Sequence, residues 1–216
     1  MNKNIYNEIK RRILFFEYPP GDMLNEKGLA VEFGVSRTPV REAFLRLEWD
    51  KLVVIMPRAG IMVTRVEFQQ LRDIFLIRVP LEGLIGRLAA TQITSGQLSD
   101  MKVLKARCEK ILETNNREEL VGVDLDLRGI LSTAANNQSL QEVSDHLYCQ
   151  TQRLWALIFD RAIFPTIVQA EVDEIVQTIE VLTEGAPRKA EEFRRQVIID
   201  HVNRVGKFFG YPQDPE

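Results

Sequence analysis

A chain of 216 residues, 45% hydrophobic and 27% charged, can bury a sizeable core and still present a solvated surface. Its apolar runs, such as Leu52–Met56, are far too short to cross a bilayer, and its start alternates charge with apolar residues at helical spacing, unlike a cleavable signal. The net charge of −3 is unevenly placed: residues 1–65 carry 11 Lys/Arg against 8 Asp/Glu, and the remainder 17 against 23.

The first third reads helix, helix, helix, hairpin. Ile5, Ile9, Ile13 and Leu14 share one side of an opening helix, which ends before Pro19, Pro20 and Gly21. A short second helix is expected from about Asn25 to Phe33, with Leu29, Ala30 and Phe33 inward. "GVS" (Gly34–Ser36) is a turn. A third helix follows, with Val40, Ala43, Phe44 and Leu47 at i, i+3, i+4, i+7. Ser36 or Thr38 can cap it, and Pro39 fits its first turn. "LVVIM" and "IMVTRV" then read as two strands joined by "PRAG" (Pro57–Gly60).

From about Glu67 the pattern is helical to the end. Apolar stripes fall at Leu81, Leu84, Ile85 and Leu88, at Met101, Leu104, Cys108 and Ile111, and at Val143, Leu147, Leu154 and Ile158. Breakers at Thr94–Gln97, Thr114–Asn116, Ala135–Ser139, Phe164–Pro165 and Glu184–Pro187 divide it into roughly six helices, with Pro80 a candidate kink. The fold expected is mainly α: a winged helix-turn-helix domain with a small β-hairpin wing over residues 1–66, then an all-helical bundle over residues 67–216.

Two short helices around a tight turn, the second with exposed cationic side chains at its start, form a helix-turn-helix. Arg37 and Arg41 lie four apart and share a face, while the apolar stripe turns away from it. A guanidinium can bond guanine O6 and N7 together, and a helix N-terminus attracts phosphate. Arg58 and Gly60 in the hairpin connection offer a cation and a close backbone approach to a groove.

The stretch "LAVEFGVSRTPVREAFLRLEWDKLV…PRAGIMV" resembles the winged-helix signature of GntR-family bacterial transcription regulators. The resemblance implies DNA contacts at Lys27, Arg37, Thr38, Arg41 and Gly60, with Ser36 in the same role. Arg46, on another side of the helix, is assigned to a flanking phosphate or a salt bridge, and Arg58 to the wing. "LRDIFLIRVPLEGLIGRLAA", "DLDLRGILSTAANNQSL" and "FRRQVIIDHV" resemble landmarks of the all-helical FCD effector domain, as in the FadR-like branch.

That domain's usual metal site has an Asp, a His four residues on, and two later His. Here Asp124 stands in the Asp place, Arg128 in the first His place, Ile175 near the second, and only His201 remains. A fixed guanidinium beside a cation is unfavourable. No metal or other cofactor is therefore expected, Asp124 and His201 being the residual donors. Arg128 is read either as an ion pair with Asp124, one turn away, or as the binder of a carboxylate effector, in a site with Arg78, Asp124, Arg153 and His201. His146, Trp49 and Trp155 are read as structural. Cys108 and Cys149 form neither a metal-type cluster nor a disulfide framework.

No phosphate loop, zincin motif or nucleophile elbow occurs in the sequence, so no catalysis is expected. The expectation is a cytoplasmic, nucleoid-associated homodimeric repressor of double-stranded operator DNA, with no membrane association, modulated by a small organic acid. The alternatives are a DNA-binding dimer without effector, a metal-binding sensor, and, last, a metal-dependent enzyme.

Overall fold

The computed structural model describes residues 2–65, 67–155, 159 and 163–209. Ile158, assigned above to an apolar stripe, and Val66, at the expected domain boundary, lie outside them. The chain divides into two compact units, residues 1–72 with 146–156, and residues 73–145 with 157–216. A single cut near residue 66 therefore misses one segment, which returns to the first unit.

In the first unit, α1 (Asn2–Leu14) packs on α3 (Arg37–Trp49). Ile9, Ile13, Val40, Phe44 and Leu47 are wholly shielded from solvent. Each such side chain contributes about 1.5–3 kcal/mol of burial free energy. The helix α2 (Glu26–Glu32) starts where the Asn25 side chain accepts hydrogen bonds from the N–H groups of Lys27 (2.8 Å) and Gly28 (3.4 Å). Gly34, at φ 63°, makes the left-handed turn that follows. Ser36 takes the N-cap backbone position of α3 without a side-chain cap bond, and Pro39 sits in the first turn.

Three strands form an antiparallel sheet in the order β1 (Met23–Leu24), β3 (Gly60–Val63), β2 (Val53–Met56). The β2–β3 register pairs Val53 with Val63 and Met56 with Gly60, leaving Pro57, Arg58 and Ala59 as the turn. The β1 strand is not legible in the sequence. It is two residues long and follows a Pro-Pro-Gly break. It adds to β3 by pairing Met23 with Met62 and Leu24 with Ile61.

The returning segment is tied in by polar contacts. Arg153 Nη1 donates to the Thr64 carbonyl at 2.6 Å, and Lys10 Nζ donates to Cys149 Sγ at 2.9 Å. Tyr6 donates its hydroxyl to Asp50, whose carboxylate lies 3.9 Å from His146 Nδ1. The Trp49 ring is 74% exposed and sits 5.7 Å from the His146 ring, so it is not a core residue of this unit.

The second unit is helical. It contains most of α4 (Phe68–Gln92), then α5 (Ser95–Thr114), α6 (Arg117–Ala135), the first part of α7 (Gln138–Thr151), α8 (Phe164–Thr183) and α9 (Pro187–Phe209). Local chemistry sets the ends. Thr94 and Gln97 form a capping box at α5, and Asn116 accepts from Glu119 N at 3.0 Å at α6. Asn115 and Asn136 close α5 and α6 in the left-handed conformation. Pro80 lies inside α4, which continues through it.

The stripe Met101, Leu104, Cys108 and Ile111 is buried as expected. The α7 stripe differs: Val143 is 49% exposed and Ser144 only 1% exposed, so the inward face is turned by one residue. The cause is polar, because Ser144 meets a buried arginine described below.

Helices α4 and α9 approach closely at Gly83 and Gly86. A Cβ on Gly86 would lie 2.6 Å from the Ala190 carbonyl oxygen and 2.6 Å from Arg194 Cγ. Gly86→Ala is therefore expected to destabilise the protein by about 1–3 kcal/mol through overpacking. Helix propensity alone would stabilise the variant by roughly 1 kcal/mol. Urea unfolding decides between them, and a more stable Gly86→Ala protein would refute the close-packing argument.

Candidate nucleic-acid interface and a buried charge cluster

The start of α3 presents an exposed polar edge. Ser36, Arg37, Thr38 and Arg41 are all solvent-accessible, while Val40, Ala43, Phe44 and Leu47 anchor the buried face beside them. Lys27, in the first turn of α2, is exposed as well. Its neighbour Glu26 lies 3.3 Å from Arg37 Nη2, which places the starts of both helices side by side. Arg37 is 69% exposed, and such a surface pair contributes at most about 1 kcal/mol, so a phosphate or base edge can displace Glu26.

Arg46 is placed differently. Its guanidinium lies 4.3 Å from the centre of the Tyr6 ring, toward α1 and away from the Arg37 edge. Arg58 is exposed at the tip of the wing, in the left-handed conformation at φ 66°. Gly60 has a structural role of its own. Its φ of 121° disfavours any side chain, and a Cβ there would lie 3.0 Å from Met23 Cε on β1.

The second unit buries a cluster of charges. Glu82 of α4 is 1% exposed and receives three guanidiniums. Arg128 of α6 donates to Glu82 Oε1; Arg194 Nη2 of α9 lies 3.3 Å from Oε2, and Arg78 Nη2 lies 3.5 Å from Oε1. Arg128 Nη2 also donates to Ser144 Oγ of α7 at 2.9 Å, and Arg194 Nη1 to Glu174 Oε1 of α8 at 2.7 Å. Burial alone would raise the Glu82 carboxyl, but Arg128, Arg194 and Arg78 together hold it below the usual carboxylate range.

Around this centre lie Asp124, Glu171, Thr178 and His201. Burial first, then Glu174 and Asp124, push the Glu171 carboxyl well above the carboxylate range. Glu171 Oε1 and Thr178 Oγ1 find no hydrogen-bond partner among the described residues. His201 Nε2 lies 3.7 Å from Glu174 Oε2, and the ring keeps 23% exposure. Desolvation, followed by the charge of Arg204, nevertheless lowers the His201 pKa to about 3.

Four of the five residues expected to bind an effector, Arg78, Asp124, Arg128 and His201, belong to this cluster. Arg153 does not: it lies in the first unit, bonded to Thr64. Arg128 pairs across helices with Glu82, a partner that sequence spacing within one helix does not reveal. Sequence reasoning also missed Glu171, Glu174, Thr178 and Arg194. A signal existed in α8, where polar residues at 171, 174 and 178 share the buried face of Val168, Val172, Ile175 and Leu182.

The donors do not suit the metal of the FCD pattern. Arg128 holds a permanent charge in the first His place, and Ile175 is an apolar core residue. Among the described residues no three His, Cys, Asp or Glu side chains are grouped as a ligand set.

Residues 1–63 match the model of bacterial regulatory proteins of the gntR family, and residues 73–200 match the FCD domain. The chain belongs to the GntR family, in its FCD branch. It is a DNA-binding transcription regulator. The family is one of regulators rather than enzymes. The chain is 26% identical over 205 residues to the HTH-type transcriptional repressor RspR of Escherichia coli, covering 95% of this chain and 90% of RspR. It is 32% identical over 203 residues to the Uxu operon regulator of Haemophilus influenzae, covering 87% and 74%. Among solved structures, McbR/YncC of E. coli superposes with a TM-score of 0.85 at 21% identity, covering 96% and 98%. A GntR regulator from Rhodococcus gives a TM-score of 0.73 at 18% identity, covering 97% of both chains. These likenesses agree on the fold. No helix among the described residues is long and apolar enough to cross a membrane.

The two buried glutamates respond oppositely to pH. Glu82, lowered, stabilises the fold above the ordinary carboxylate pKa, and that contribution is lost as pH falls. Glu171, raised, is favourable below that pKa and unfavourable as pH rises. At neutral pH, Glu82→Gln is expected to cost about 3–5 kcal/mol, because it leaves buried guanidiniums unpaired. Glu171→Gln is expected to leave stability unchanged or higher. Denaturant titration checks both, and equal losses in the two variants would contradict the assignment.

Proposed function

We propose that the protein is a homodimeric, cytoplasmic, nucleoid-associated repressor that reads a short palindromic operator. The observation that carries the operator reading is the exposed Arg37–Thr38–Arg41 edge at the start of α3, beside Lys27. Ser36 and the α3 N–H groups would hold phosphate, Arg37 and Arg41 would reach base edges in the major groove, and Arg58 and Gly60 of the wing would lie along the neighbouring groove. Arg46 would serve a flanking phosphate, after leaving its place over Tyr6. Repression is supported by the likeness to a protein named as a repressor. Twofold pairing of chains would match a palindromic site.

The helical unit is proposed to sense a small organic acid without a metal, through Arg78, Asp124, Arg128 and His201. An effector can change operator affinity only by binding two arrangements of the protein unequally. The second reading is a DNA-binding dimer that senses nothing. It is favoured by one observation: Glu82 already engages Arg78, Arg128 and Arg194. A metal-dependent sensor or enzyme ranks below both, because the donor set lacks ligands.

The test begins with selection of bound sequences from a random duplex library. On the selected site, Arg37→Ala and Arg41→Ala are each expected to weaken binding by about 1–3 kcal/mol and to relax discrimination at one base step. Fluorescence anisotropy measures this, and unchanged affinity in both variants would refute the assigned interface. A panel of carboxylates is then added to the protein–operator complex. The acid-sensing reading predicts release by at least one acid, lost in Arg128→Ala; no release by any acid leaves the effector-free dimer.

A further inference from the structure

Glu82 is bound as a ligand is bound. Its carboxylate is 1% exposed and receives guanidiniums that are 2–6% exposed, from α4, α6 and α9. Ser144 Oγ, 3.4 Å from Oε1, closes the remaining side. Both oxygens are engaged, as in a protein site for a carboxylic acid. A helix needs no such device to hold its register, since Ile85 and Ala89 already bury the same side of α4. Gly83 and Gly86 bring α4 close enough to α9 for Glu82 to reach Arg194.

We propose that Arg78, Arg128 and Arg194 form a carboxylate-binding site whose resident occupant is the chain's own Glu82. The ligand class is a small monocarboxylate, which must take the place of Glu82 to bind. The tethered carboxylate has an effective concentration on the order of millimolar or above, so a weak free acid does not displace it from the intact protein. The regulatory consequence rests on the acid-sensing reading above: an effector acid would act by releasing Glu82, and with it α4, the helix that follows the wing. The existence of the site does not rest on it.

Glu82→Ala removes atoms equivalent to one acetate ion, which makes acetate the probe. The melting temperature of full-length Glu82→Ala is measured against acetate, with acetamide and with chloride at matched ionic strength as controls. Acetate is expected to raise it progressively, well beyond either control, while the intact protein stays flat. Glu82→Ala with Arg128→Ala is expected to lose the response. If Glu82→Ala does not fold in chloride, the same comparison is made on the yield of refolded protein after dilution from urea. A response to acetate no larger than to chloride or acetamide, or an equal response in the intact protein, overturns the proposal. Failure of every acid to release the operator, with acetate rescue intact, would instead remove the sensing reading alone.

Discussion

Burying ionised groups in a helical bundle is possible only if they neutralise one another. In the second unit the buried charged side chains among the described residues are Arg78, Arg128 and Arg194 against Glu82, Asp124, Glu171 and Glu174. Three guanidiniums face four carboxyls, and Glu171 has the least support. Burial, Glu174 and Asp124 push it toward its neutral form, and one of its oxygens has no hydrogen-bond partner among the described residues. Arg194 and Arg204 act against that shift. Burial likewise pushes His201 toward its neutral form. Much of the unit follows from this pairing. Ser144 turns inward, Val143 turns out, and glycines at 83 and 86 let α4 and α9 approach.

A different constraint governs α3. It must hide one face so completely that Val40, Phe44 and Leu47 have no exposure, while keeping Arg37, Thr38 and Arg41 exposed at its first two turns. Helical spacing puts positions 37 and 41 about a quarter-turn from the centre of the stripe at 40, 43, 44 and 47, on its flank rather than behind it. Arg46 is also an exposed arginine of α3, but it lies on another side of the helix, over the Tyr6 ring. Residue type and exposure therefore do not by themselves single out one edge of α3; position around the helix does.

This contrast explains what was legible in the sequence. The three helices of the first unit, the hairpin and the exposed edge of α3 depend on local signals: periodicity, an Asn cap, a Gly turn. They could be read within a few residues of their true limits. The β1 strand could not, since two residues carry no pattern and the strand exists only because β3 offers an edge. The buried charge cluster was half legible. Arg128 stood out as a departure from a family pattern, and Arg78, Asp124 and His201 came with it. Glu82, its principal partner, lies 46 positions away on another helix, and no local rule links the two.

The second-unit register of α7 shows why composition misleads at such places. The helix belongs to the second unit up to Asp145 and to the first from His146. Its buried side chains accordingly differ in kind. Ser144 serves a guanidinium of the second unit, whereas Tyr148 and Thr151 are buried residues of the stretch assigned to the first. A stripe search rewards apolar residues and so selected Val143, which is the more hydrophobic of two neighbours. Burial of the hydroxyl is favoured instead because it completes the coordination of Arg128, whose unmet hydrogen bonds would cost more than the exposure of one valine. Where a buried charge needs a partner, polarity sets the register and hydrophobicity yields.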